Sequence, residues 1–375
     1  MNPRSVRAHP RRVPLARRNL TADRRRLAAG VTGVGLAVML ILLLDGMWAG
    51  IRQQATLYSE RSGADLFVLQ PGVRDLTAGA GSLPLPTVDQ VRADPGVAWA
   101  APVRTAYVIL QLHGRKVPAY VVGSVPGQRG GPWSSASGRP PRSDDEITVG
   151  TVLARRHGIG VGDRLELLGR SFRVVGLSDS NGFMLSYVFV THDALDGLAG
   201  SPGRTSFVLA GAADAGGATA RLRAQGLDTL GRHQVSVNNL RFATGILGSP
   251  VRLMVAVGLA AGTMIIALTA YTAVVERRRE YGIVKAMGGT GRFLVGLAVA
   301  QTLTLAALGL GAGWLLFVAG RGVIDASRPQ FAIVLTAGAA GRAVAAALGM
   351  ALLAAVVPAR RLAALEPAAA YRSAA

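Results

Sequence analysis

Four stretches of this chain are too long and too apolar to belong on the surface of a water-soluble protein. Leu27 to Leu44 runs 18 residues without a charge, and its apolar character continues past Asp45 to Ile51. Leu253 to Val275 runs 23 uncharged residues and Phe293 to Gly320 runs 28. The fourth covers 337–357 and carries Arg342 near its start. An α-helix rises 1.5 Å per residue, so about 20 residues cross a hydrocarbon core of about 30 Å. Four spans are predicted, at 27–51, 252–275, 293–320 and 337–357. The first is too long for the usual signal-peptide core of about 7–15 apolar residues, and no A-x-A site follows Leu44, so it is expected to be an uncleaved anchor. The mean hydropathy of +0.35 agrees with a membrane protein.

The formal net charge of +20 would suit a nucleic-acid binder if it lay on a soluble domain. Its placement argues otherwise. Segments 1–26, 276–292 and 358–375 carry a net +13 over 61 residues, whereas 52–245 carries +5 over 194. Short basic loops stay in the cytoplasm, and long domains cross largely regardless of charge. Both termini and the 276–292 segment are therefore expected inside, with 52–245 outside and 321–336 a short outer loop. The high pI then reflects topology and attraction to anionic lipid headgroups, not nucleic acid.

The segment between the first two spans is long enough to bury a core. Asp65 to Leu69 and Tyr107 to Leu112 read as strands. Pro118 to Gly123 completes a hairpin across His113-Gly114-Arg115. Glu146 to Gly150 reads as a strand and Thr151 to His157 as a short helix closed by Gly158. Arg164 to Leu168 and Ser171 to Leu177 read as strands joined at Gly169-Arg170, after a Val161-Gly162-Asp163 turn. Stretches 127–142 and 211–217 read as loops. The fold class expected is four transmembrane α-helices plus a large α+β extracytoplasmic domain inserted between the first and second, with room for two subdomains.

Catalytic patterns are missing. No Gly-Lys pair exists, so there is no P-loop, and neither H-E-x-x-H nor G-x-S-x-G occurs. The five histidines (His9, His113, His157, His192, His233) lack metal-ligand spacing, and the chain has no cysteine. Asp144-Asp145-Glu146 reads as a solvated turn before a strand. Trp48 stands where an interfacial aromatic anchor belongs.

Two segments carry a resemblance. After the second span the chain reads Glu276-Arg-Arg-Arg-Glu-Tyr-Gly-Ile-Val-Lys-Ala-Met-Gly-Gly-Thr290. Near its C-terminal end it reads Pro358-Ala-Arg-Arg-Leu-Ala-Ala-Leu-Glu-Pro-Ala-Ala-Ala-Tyr-Arg372. These resemble the conserved segments of FtsX-like permeases. Pro14 to Leu20, Gly63 to Leu69 and the block 146–177 are similar to the MacB-type members, of the stand-alone DevC or LolE kind. The resemblance implies the permease subunit of an ABC transporter in a bacterial cytoplasmic membrane, working as a homodimer or with a paralogue. A separate cytoplasmic ATPase would hold the ATP and Mg, with no cofactor on this chain. It also implies export or extraction of an amphiphile, lipid, peptide or drug by movements of the outer domain, with a possible extracytoplasmic adaptor. The alternative is FtsX-like signalling to a cell-wall hydrolase.

Under that resemblance Glu276, Arg277, Arg278, Glu280, Tyr281, Gly282 and Lys285 form the coupling segment, and Glu280, Tyr281 and Lys285 are expected to touch the ATPase. The alternative is that Arg277 to Arg279 merely fix topology. Pro358, Arg360, Arg361 and Pro367 form the C-terminal motif. Gly258 and Gly262, and Gly309 and Gly313, have the G-x-x-x-G spacing that lets helices approach closely. Asp45 and Arg342 both fall near the outer leaflet and are expected to pair, within or between subunits. Independent snorkelling is the alternative, and Arg252 is a competing partner for Asp45.

Overall fold

The computed structural model describes residues 24–76, 81–112, 114–180, 186–276, 278–288, 290–327 and 333–363. The elements begin with α1 (Arg24–Arg61), β1 (Leu66–Leu69), β2 (Leu83–Pro84), α2 (Thr87–Arg92), β3 (Val97–Leu112), β4 (Arg115–Ser124) and β5 (Ser137–Gly138). Next come β6 (Glu146–Gly150), α3 (Thr151–His157), β7 (Arg164–Leu167), β8 (Arg170–Ser178), β9 (Ser186–Thr191) and α4 (His192–Leu198). Then β10 (Arg204–Thr205), β11 (Phe207–Ala212), α5 (Ala215–Ala224) and β12 (Asp228–Gly231) lead into four helices. These are α6 (Arg232–Glu276), α7 (Arg278–Ala286), α8 (Gly291–Ser327) and α9 (Ala337–Ala363). Two compact units result, a mixed one of Met47–Ser249 with Ile324–Val334, and a helical one built from the rest.

The mixed unit is organised by one sheet of ten strands in the order β12-β1-β11-β3-β4-β9-β6-β8-β5, with β7 added to β8. Pairing is antiparallel except for β4 with β9 and β6 with β8. Strand alternation sorts the side chains onto two faces. On one face Phe67, Leu69, Val103, Tyr120, Val122, Tyr187, Phe189, Phe207 and Leu209 form an aromatic-rich core closed by Tyr58 of α1 and Val235 of α6. On the other, Leu66, Val68, Val208 and Ala210 pack under α2 and α5. Val121, Ile147, Val149, Phe172 and Val188 pack under α3 and α4 on that same face. The two blocks seen in the sequence are thus two helix-covered halves of one sheet, not separate subdomains.

Local chemistry explains the turns. Leu112 pairs with Arg115, which leaves a two-residue connection whose Gly114 sits at φ 73°. His113 lies outside the described residues. Gly158 closes α3 in the left-handed conformation at φ 64°. The stretch 211–217 is mostly regular, with β11 running to Ala212 and Asp214 capping α5 by accepting from the Gly217 amide.

Glu146 corrects the solvated-turn expectation. Its side chain is buried and accepts from Arg139 Nη1 at 2.7 Å, the Arg142 amide at 2.9 Å and Arg173 Nη2 at 3.3 Å. The Arg139 hydrogen bond outweighs desolvation and pulls its pKa down to about 2. Asp144 accepts from the Thr191 hydroxyl and Asp145 from Ser143 Oγ at 2.6 Å. Asp144 and Glu146 therefore tie the start of β6 to Thr191, Arg139 and Arg173, while Asp145 bonds within its own turn.

The helical unit is arranged around α1. A Cβ on Gly33 would meet Ile265 of α6 at 2.9 Å, and one on Gly30 would meet Leu305 of α8 at 3.1 Å. Contacts with α8 advance together along both chains, Gly30 with Leu305, Val34 with Gly309 and Val38 with Gly313, so these helices run parallel. Contacts with α6 run oppositely, Gly33 with Ile265, Ala37 with Gly262 and Leu40 with Gly258, so those two are antiparallel. The four apolar stretches, Leu27–Arg61, Gly248–Glu276, Gly291–Ile324 and Ala337–Arg361, are each long enough to cross a membrane.

The helix ends differ from expectation. α6 begins at Arg232 and passes both 245 and Pro250 without a break, and α8 continues to Ser327 through residues expected to form a loop. α9 continues through Pro358 to Ala363. Hydropathy marks where a helix meets lipid, whereas its backbone hydrogen bonds end elsewhere.

Candidate coupling site

α6 is described as far as Glu276 and α7 over the nine residues Arg278–Ala286. Arg277 between them lies outside the described residues. Tyr281 is 3% exposed and packs with Val274 of α6 and Leu294 and Ala298 of α8. Gln301 Nε2 donates to its hydroxyl at 3.4 Å. Gly282 beside it is also buried. This corrects the expectation that Tyr281 meets a partner: the ring holds α7 against the ends of α6 and α8. The amide of Gly288 donates to Lys285 at 3.1 Å, and Gly288 at φ 97° ends the helix.

The opposite side of α7 is open. Arg279 and Glu280 are exposed, Lys285 is half-buried, and Ile283 and Met287 are 41% and 76% exposed. Residues 279, 283 and 287 are four apart and share a face. The sequence reading missed Ile283 and Met287. Their signal was present as an apolar i, i+4 pair that runs from the charged helix into the turn closing it. Glu276 is exposed, and α7 is described from Arg278 onward.

From the C-terminal motif, Pro358 is buried within α9 and Arg360 is exposed. The Arg361 guanidinium lies over the Tyr271 ring of α6 at 5.5 Å. Pro367 lies outside the described residues.

Asp45 of α1 and Arg342 of α9 meet in a bidentate pair within one chain. Arg342 Nε donates to Oδ2 at 2.8 Å and Nη2 to Oδ1 at 2.9 Å. The glycine pairs also lie at intramolecular contacts. A Cβ on Gly258 would meet Leu40 at 3.3 Å, and one on Gly262 would meet Ala37 at 3.0 Å. One on Gly309 would meet Val34 Cβ at 2.6 Å, and one on Gly313 would meet the Gly35 carbonyl at 2.8 Å. Trp48 packs with Met47, Ile51, Ala55 and Ala243. Among the described residues no group of three or more His, Asp or Glu could hold a metal ion.

The sequence profile of the MacB-like periplasmic core domain matches residues 28–225, and that of the FtsX-like permease C-terminal domain matches 252–367. An ABC transporter permease of Mycobacterium tuberculosis is 27% identical over 366 residues, covering 95% of this chain and 98% of the relative. One of Mycobacterium bovis is 28% identical over 368 residues, covering 95% and 98%. The periplasmic region of MacB from Actinobacillus actinomycetemcomitans superposes with a TM-score of 0.37 at 11% identity, covering 47% of this chain and 92% of that one. The extracellular domain of the noncanonic ABC-type transporter YknZ from Gram-positive bacteria gives 0.33 at 15%, covering 48% and 94%. With two such profiles joined in one chain around four membrane-crossing helices, this protein belongs to the MacB/FtsX-type family of ABC transporter permeases.

Proposed function

We propose that this permease, working as a dimer, couples ATP hydrolysis by a separate cytoplasmic ATPase to movements of the mixed unit that export or extract an amphiphile. The termini and α7 lie in the cytoplasm in this reading, as the basic flanks favour. The observation that carries it is α7 itself. A helical segment held on one side by Tyr281, with Ile283 and Met287 left exposed on the other, has the form of a docking element. Two exposed apolar side chains between charges match the composition of a protein–protein contact, an apolar centre with a polar rim. The partner ATPase is the occupant that permease family membership implies.

Tagged full-length protein purified in mild detergent tests the reading. The expected result is stoichiometric co-purification of an ATPase whose activity is vanadate-sensitive. Repeated purification without any nucleotide-hydrolysing subunit would overturn it.

A further inference from the structure

The mixed unit contains an opening that the coupling reading does not use. Beyond β4 the chain makes a tight turn, with the Gln128 amide donating to Val125 at 3.0 Å and Gly127 and Gly130 at φ 78° and 102°. Tyr58, buried beneath, donates its hydroxyl to the Gly130 carbonyl at 3.0 Å and fixes the turn to the aromatic core. Over this turn lies a cavity of about 390 Å³. A second, of about 540 Å³, adjoins it and shares Gly127, Gln128 and Arg129. Each is of the size that small-molecule sites take, roughly 300–1,000 Å³.

The lining is chemically one-sided. Neither cavity has an aspartate or glutamate in its wall. Arg61 and Arg129 both face the first one, with Ser62 and Ser124. Elsewhere in this unit arginines are held by carboxylates, as in Arg104 with Asp196, Arg221 with Asp94 and Arg232 with Asp65. Arg61 and Arg129 have no carboxylate partner among the described residues. Arg129 is oriented all the same. Its guanidinium lies over the Trp99 ring at 5.3 Å, which restrains the plane and leaves its N–H edge available. It also fills the space beside Gly63, where a Cβ would collide with it, and Gly63 sits at φ 73°. Trp133 and Pro141 add apolar surface to the same lining.

We infer that this cleft binds a phosphate-class anion carried on an apolar body, the two guanidinium groups taking the anion and Trp133 with its proline neighbour taking the apolar part. Arginine forks match tetrahedral oxyanions, and a cleft without carboxylates does not repel them. The inference rests on the transport reading in naming a substrate class for it, an anionic amphiphile such as a phospholipid.

The test is a titration of the full-length protein in neutral detergent, followed by tryptophan emission, since Trp99 and Trp133 line the cavities. The probes are dioctanoyl phosphatidylglycerol, dioctanoyl phosphatidylcholine and inorganic phosphate. Phosphatidylglycerol should bind about tenfold tighter than phosphatidylcholine, and R61Q/R129Q should erase the difference. The exposed-site control R164Q should keep it, and both variants should keep the parent melting temperature. Inorganic phosphate that binds through the same arginines while the lipid does not would support the anion site and name a free anion as its occupant. Equal affinity for the two lipids with no phosphate binding, or undiminished anion binding by R61Q/R129Q, would overturn the proposal. No ATPase is present in the titration, so its failure leaves the coupling reading intact, and the reverse also holds.

Discussion

The mixed unit and the helical unit solve the same problem of cohesion by different physics. In the mixed unit large side chains are driven together by water. Phe67, Phe172, Phe189 and Leu209 are fully buried, and aromatic rings meet Trp133 edge to face, Tyr187 at 5.7 Å and Tyr58 at 5.9 Å. In the helical unit lipid is as apolar as leucine, so burial of large side chains drives little. There α1 closes on α8 and α6 where Gly30, Gly33, Gly309 and Gly313 remove side chains altogether. Polar groups follow the same division. The mixed unit shares Glu146 among two arginines and an amide, whereas the helical unit places Asp45 and Arg342 in one two-membered pair. Volume is the sensitive variable in the bundle, and charge is the sensitive variable in the sheet.

The largest effect expected from that contrast is in the bundle. Gly313→Val places a side chain against the Gly35 carbonyl and Val38, and should destabilise by about 3 kcal/mol. Gly322→Ala, where a Cβ meets nothing within 4 Å, should be neutral or slightly stabilising. Thermal aggregation midpoints in detergent would separate the two, and equal midpoints would break the comparison.

Charge in the sheet comes next. Glu146→Gln should lose about 2 kcal/mol in denaturant unfolding at neutral pH. Because the folded pKa of Glu146 is depressed from 4.5 to about 2, its contribution is complete above the unfolded value and is lost as pH falls from there through about 2. The parent protein should therefore lose stability between pH 5 and about pH 2 more steeply than the variant does. Parallel acid profiles would refute the assignment.

Smaller again is the pair in the bundle. Asp45→Asn and Arg342→Gln should each weaken the fold, and a double-mutant cycle should give a coupling of about 1 kcal/mol. A coupling near zero would mean that the two groups satisfy themselves separately.

Much of this was legible in the sequence, and the residues that were not share a cause. Spans and strands were readable because lipid and sheet impose composition and alternation directly on neighbouring positions. The hairpin at Gly114 and the helix stop at Gly158 were readable because positive φ selects glycine locally. Glu146 was misread because its partners are Arg139, seven residues before it and just past β5, and Arg173, 27 after it on β8. Tyr281 was misread because its charged neighbours suggested exposure, while the residues that bury it, Val274 and Leu294, come from the flanking helices. The unbroken run of α6 from Arg232 was invisible because composition changes at about residue 250 and backbone hydrogen bonding does not. The cleft of Arg61 and Arg129 joins the end of α1 and the end of β4 to the loop that follows β4, and no local periodicity announces neighbours so far apart in sequence.

The most direct test of the central claim, that α7 is the docking element for an ATPase, exploits the absence of cysteine from the chain. Single cysteines at 279, 283 and 287, with 281 and 284 as inward-facing controls, would be probed with a short thiol crosslinker in the purified complex. The expected result is crosslinking to the ATPase at 279, 283 and 287, with little at 281 and 284. An ATPase that co-purifies yet crosslinks at none of the three outward positions, or equally at all five, would contradict the assignment of α7.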